Sequence, residues 1–247
     1  MEGRASGRLA RVQSVVRKPI GRLLRRLGLR RTPTDVLIFP ESQLAHRLLD
    51  GLSGLEIGAA AHNPFGLETQ NVGLSQAMDA QDYEFFWALQ MELCGAAATI
   101  DIEADTCAIP VPDSSQDFVI HSHVWEHLPD ALGGLEEWVR VTRDGGFVFA
   151  IVPKRDASES DRDRPPTPLS EHVRHRELRS THAMRGAAEN MAERSHYNVF
   201  SPETLHEIAA WFNGLSDKQQ LEEVAFLETD DKVGNGHAIV WRVRKTR

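Results

Sequence analysis

At 247 residues and a formal net charge of −8, the chain is long enough to bury the core of one large α/β domain with additions, which is favoured over two domains of equal size. No run approaches the roughly 18 uninterrupted apolar residues of a transmembrane helix, and two cysteines, Cys94 and Cys107, make neither a disulfide framework nor a paired metal motif, so a reducing, cytoplasmic setting is expected. The net charge conceals an asymmetry: residues 1–31 hold ten Lys or Arg against Glu2, a balance of +9, and the remainder carries −17.

In the basic leader, Val12, Val15, Val16, Ile20, Leu23, Leu24 and Leu27 recur at three- and four-residue steps, one apolar stripe with arginines opposite, interrupted at Pro19. Such a segment suits the surface of an anionic membrane, RNA phosphates, or the acidic body of its own or a neighbouring chain, and is equally read as a solvated extension. Arginines break every candidate apolar core of a secretory signal. Residues 1–32 are therefore set apart from a body of residues 33–247.

In that body, Leu44, Leu48 and Leu49 predict a helix over Glu41–Leu52 that leads into a first strand, Leu55–Gly58. Glu68–Val72 reads as a second strand, Asp82–Leu93 as an aromatic-rich helix, Ala97–Ile102 as a third strand and Phe118–His121 as a fourth. Asp130–Thr142 is predicted helical, stopping before the turn Asp144-Gly145-Gly146, and Gly146–Val152 is a fifth strand. Periodicity then lapses across 153–200, where His172, His175, His182 and His196 gather; a connection this long is functional or mobile as a rule. Ser201-Pro202 starts a further helix, and Val224–Leu227 and His237–Val243 close the chain as strands. Short apolar runs separated by helical patterns imply a mostly parallel sheet with helices on both faces.

The run Leu55-Glu56-Ile57-Gly58-Ala59-Ala60-Ala61 is a strand feeding a small-residue turn, which lets backbone approach a ligand. It is followed by Asp105, Pro110, Asp113, Ser115, Asp117 and Val119 in fixed order, then by Glu126-His127. In this set, clearly over Pro40–Pro153, the chain resembles the class I S-adenosylmethionine-dependent methyltransferases, in particular their type 11-like small-molecule group. The resemblance implies a doubly wound, mostly parallel, seven-stranded Rossmann-like sheet with an antiparallel final strand, and S-adenosyl-L-methionine as cofactor. It places Glu56, Gly58 and Ala59 at the first cofactor turn, Asp105 and Thr106 at the adenine, and Ser122 beside the methyl group. Where the family commonly has an acidic residue for the ribose hydroxyls, this chain has Gly73, which leaves Asn71 as the candidate partner.

The loop His121–His127 follows the fourth strand, where the resemblance puts residues near the transferred methyl. A hydroxyl acceptor must lose a proton, and histidine titrates near neutrality, so His123 is the first candidate general base. His127 is a secondary candidate, the Glu126-His127 pair being read as mainly structural. Asp161–Pro168, with Glu171, His172 and His175, reads as an acceptor lid inserted within 153–200 or as a solvated polar loop; no spacing there is diagnostic of a metal, and none is expected. The absence of G-x-G-x-x-G argues against a nicotinamide-dependent oxidoreductase.

These residues predict O-methylation of a hydroxyl-rich small molecule such as a saccharide or glycolipid. The alternatives are N- or C-methylation of another small molecule, a binding module that keeps the fold without turnover, and RNA modification led by the basic arm, the last disfavoured. A peripheral membrane location through residues 1–31 accompanies the glycolipid reading.

Overall fold

The computed structural model describes residues 36–75, 80–181 and 196–246; the leader, His182 and their neighbours lie outside them. Seven strands form one sheet in the order β3-β2-β1-β4-β5-β7-β6: β1 Ser53–Ile57, β2 Glu68–Gly73, β3 Ile102–Glu103, β4 Gln116–Ser122, β5 Thr142–Pro153, β6 Gln219–Leu227 and β7 Gly236–Lys245. The first five run parallel, and β7 lies antiparallel between β5 and β6, as the resemblance implies. The order reverses between β1 and β4, so the carboxyl ends of these two strands border the crevice where open α/β sheets take ligands.

Both sheet faces are covered because the strand sequences are apolar on both sides. Phe118, Ile120, Phe149, Ile151, Ala238 and Val240 face one layer, which α1 (Gln43–Leu49) closes with Leu44, Ala45 and Leu49. Leu55, Val119, Val148, Ala150 and Trp241 face the other, closed by α3 (Ala131–Val141) with Leu132, Leu135, Trp138 and Val139 and by α5 (Pro202–Leu215) with Leu205, Ile208 and Phe212. The remaining helices are α2 (Ala80–Cys94) and α4 (Leu169–Glu177). Each of α1, α3 and α5 begins on a side-chain cap, Ser42, Asp130 and Ser201, accepting from the backbone three residues on. Among the described residues no helix is long and apolar enough to cross a membrane.

Three expectations shift. The third strand is Ile102–Glu103 rather than Ala97–Ile102, because the preceding backbone is held by side chains: Gln90 Oε1 accepts from Ala98 N and Asn71 Nδ2 donates to Thr99 O, at 2.9 and 2.7 Å. The turn expected at Asp144–Gly146 is a bulge inside β5, with Gly145 at φ +74° and the register to β4 shifting between Gln116 and Phe118. The patternless stretch after Pro153 contains α4, whose helical period is hidden because it buries histidines, His172 and His175, instead of aliphatics.

Candidate active site

Glu56 sits in β1, in register with Asn71 of β2 and Ile120 of β4. Its carboxylate is buried and accepts from Thr69 Oγ1 at 3.3 Å. Burial lifts the carboxyl to about 7, against the opposing pull of Lys232 and the Thr69 hydrogen bond. Lys232, from the β6–β7 connection, is itself buried; its ammonium donates to Pro40 O and Pro64 O and lies 4.4 Å over the Phe65 ring. Burial lowers the amine to about 8, with Glu56 pulling the other way. Nothing in the local sequence marks Lys232, which comes to Pro40, Pro64 and Phe65 only when the β6–β7 connection folds back on the segment after β1.

At the end of β1 the chain turns through Gly58 at φ +66°, a conformation costly for any residue with a side chain. A Cβ there would stand 3.0 Å from Val124 Cγ2, so the turn also lies against the loop after β4. Gly58 N donates to Val72 O and Ala59 N to Asn71 Oδ1, at 2.8 and 2.9 Å. Gln90 Oε1 adds a bond from Ala61 N at 2.7 Å. Asn71 thus has its carbonyl on the turn and its amide on Thr99 O, and shapes the backbone of both. Gly73 ends β2 in register with Glu103 of β3, whose side chain is exposed.

Asp105 is exposed and accepts from Cys107 N at 2.8 Å, the mark of a loop residue that organises its own turn. The Thr106 hydroxyl receives Trp138 Nε1 at 2.9 Å. Beyond it, the motif residues anchor loops. Asp113 pairs with Arg140 of α3, which also donates to Ile109 O and Val111 O, while Asp117 accepts from Arg143 and from Ser53 N.

A second group of candidate residues follows at the end of β4. Ser122 Oγ accepts from Asn63 Nδ2 at 3.4 Å, which joins the two loops. His123 takes φ +56°, in the left-handed region, with its N–H held by Ile151 O at 2.9 Å. Its Nδ1 faces Glu126 Oε1 at 3.5 Å, and its Nε2 has no hydrogen-bond partner among the described residues. A short 3₁₀ turn, Trp125–His127, then buries Glu126 completely, at 0% exposure. Burial alone would raise this carboxyl; the His127, His123 and His196 imidazoles around it outweigh burial and hold it below the usual carboxylate range. Burial lowers His127 to about 4.

The sequence reading did not place His196 or Asp161 in the site. Tyr197 N and Asn198 N both donate to Glu126 O, at 2.9 and 3.1 Å, and Asn198 Nδ2 donates to Leu128 O at 2.7 Å, so the segment returns against the 3₁₀ turn. His196 arrives with its ring 4.9 Å from that of His127. Its Nδ1 contacts Asp161 Oδ2, and Arg164 bridges Asp161 Oδ1 to His196 O and Tyr197 O. The gathering of histidines in 153–200 was the available signal; their partners were not legible. On the near side, Phe86 of α2 lies 6.3 Å ring to ring from His127.

Residues 60–150 match the model of a methyltransferase domain family. A protein of Mycobacterium tuberculosis named "Probable S-adenosylmethionine-dependent methyltransferase" is 34% identical over 68 residues, 28% of this chain and 25% of that protein. One of Mycolicibacterium smegmatis with the same name is 37% identical over 71 residues, 28% of each. The aligned part of the chain thus spans about a quarter of the length of the curated relatives it matches. Among solved structures, a SAM-dependent methyltransferase from Aquifex aeolicus superposes with a TM-score of 0.42 at 14% identity, covering 79% of this chain and 84% of that one. One from Methanosarcina mazei gives 0.44 at 14%, covering 83% and 98%. Residues 60–150 thus carry the likeness to S-adenosylmethionine-dependent methyltransferases, within a sheet whose strand order is the one that the class I resemblance implies.

Proposed function

We propose that the chain transfers the methyl group of S-adenosylmethionine to a hydroxyl of a small, hydroxyl-rich acceptor of the saccharide or glycolipid type. The reading is carried by His123, an imidazole at the carboxyl end of β4 whose Nδ1 faces the buried Glu126 and whose buried Nε2 has no hydrogen-bond partner among the described residues, on the loop that packs against the Gly58 turn. A base must present a free lone pair and be oriented from behind, and this pair does both.

The Gly58–Ala59 turn and Glu56 hold the methionine end of the cofactor, Asp105 and Thr106 the adenine, and Ser122 borders the methyl. With Gly73 lacking a side chain, the exposed carboxylate of Glu103 on the adjoining strand serves the ribose hydroxyls. In the transfer, the acceptor oxygen forms a bond to the methyl carbon as the carbon–sulfur bond breaks. The electron pair stays on sulfur, and the hydroxyl proton passes to His123 Nε2. Phe86 and Trp87, 45% and 46% exposed on α2, offer ring faces to the apolar side of a sugar. The segment 153–181 with 196–200 walls the acceptor side, and residues 1–31 hold the protein at anionic membrane, where a glycolipid acceptor would be met.

The test incubates the full chain with methyl-labelled cofactor and saccharide or glycolipid pools. Label in an acid- and base-stable ether is the expected result, and label only in amines would move the reading to N-methylation. Calorimetric binding of the cofactor with no transfer to any pool would favour a binding module, the reading that Gly73 supports.

A further inference from the structure

We propose that Glu126, His127 and His196 form a binding site for a divalent transition-metal ion of the zinc type, on the acceptor side of the crevice. One ligand atom from each lies within 4.8 Å of the others. His127 Nε2 stands 3.9 Å and His196 Nε2 4.0 Å from Glu126 Oε1. Bonds of about 2.0–2.2 Å in a tetrahedral shell separate ligand atoms by roughly 3.3 Å, so side-chain rotations that bring the atoms up to about 1.5 Å closer to one another close the set.

Glu126 is the independent observation. It is wholly buried; Oε2 has no hydrogen-bond partner among the described residues, and Oε1 meets only the His123, His127 and His196 imidazoles, at 3.5, 3.9 and 4.0 Å. A carboxylate taken out of water without donors is costly, and a cation among its acceptors removes the cost. The surroundings point the same way. Asp161 takes His196 Nδ1, which leaves the Nε2 lone pair aimed at the cluster, and Arg164 fixes Asp161 in turn. This is the carboxylate–histidine–metal arrangement that orients an imidazole ligand. One carboxylate and two imidazoles make a borderline donor set, suited to zinc, and three protein ligands leave a position open. Resting on the methyl-transfer reading, that position would take the acceptor hydroxyl and lower its pKa, so that His123 removes the proton more readily.

The test uses the full chain, stripped with chelator and without S-adenosylmethionine, titrated with Co²⁺ by visible absorption and with Zn²⁺ by calorimetry. The expected result is saturable one-to-one binding with the intense visible bands of a low-coordinate Co²⁺ site. His196→Ala should abolish the bands, and Asp161→Asn, outside the ligand set, should weaken affinity by roughly 10–100-fold with an unchanged circular dichroism spectrum. If His196→Ala fails to fold, Asp161→Asn still decides. Absence of saturable binding, or equal affinity in wild type and Asp161→Asn, overturns the site and leaves a protonated His196 as the partner of Glu126. Metal binding without cofactor binding would keep the site and remove the methyl-transfer reading; the converse would do the opposite.

Discussion

At the scale of single residues, histidines in similar sequence settings do different work because burial and partners differ. His121, in β4, and His123, just past its end, are two positions apart. His121 is fully buried against Trp138, ring centroids 4.6 Å apart, with neither nitrogen hydrogen bonded among the described residues, whereas His123 faces the Glu126 carboxylate with Nδ1 at 3.5 Å. Burial depresses His121 to about 3, so the folded protein keeps it neutral while the unfolded chain takes up a proton below about 6.5. Its contribution to stability is therefore complete above that value and declines as pH falls toward about 3. His121→Leu should reduce the acid slope of thermal unfolding by one proton, about 1.4 kcal/mol per pH unit, without changing cofactor affinity. An unaltered slope would show that His121 titrates alike in both states.

His123→Ala is expected to lower turnover by roughly 10²–10⁴-fold with cofactor affinity retained, as single-turnover assays and calorimetry would read. Equal loss of both would make His123 a binding residue and not a base. For Asp105→Ala, the loss of a charged hydrogen bond should weaken the cofactor by about 1.5–3 kcal/mol while the domain stays folded. Wild-type affinity in that variant would remove Asp105 from the adenine site.

At the scale of elements, helices and long strands were legible where apolar spacing matches one buried face, as in α3 with Leu132, Leu135 and Trp138. The edge strand β3 was misplaced because Ala97–Ile102 looks extended and apolar yet is held by Gln90 and Asn71 side chains that sequence spacing does not reveal. Asn71 is accordingly a hinge between two elements, the cofactor turn and the backbone before β3. Asn71→Ala should leave Thr99 O without its donor and Ala59 N without its acceptor, costing about 1–3 kcal/mol in urea unfolding and weakening cofactor binding with it. Lost affinity with no lost stability would mean that Asn71 touches the ligand directly.

At the scale of the molecule, the leader with +9 and the remainder with −17 form one chain of opposed charges. Removal of residues 1–31 is predicted to leave a folded, cofactor-binding body, since every strand of the sheet follows it. It should also abolish co-sedimentation with anionic vesicles, an attraction that in the full chain weakens as salt shortens the Debye length to about 8 Å at physiological ionic strength. A truncated protein that unfolds or changes oligomeric state would make the leader's apolar stripe part of a core or a subunit contact.

The sequence by itself determined the class of fold, the small-residue turn after β1 at Gly58 and the place of His123 directly after β4, because these depend on local periodicity, glycine's conformational freedom and residues close together in the chain. Only the tertiary structure decided that the Lys232 charge is felt at Glu56 and that His196, held by Asp161, comes to Glu126. Those contacts join segments far apart in sequence, and what brings them together is backbone hydrogen bonding and burial, neither of which leaves a spacing to read.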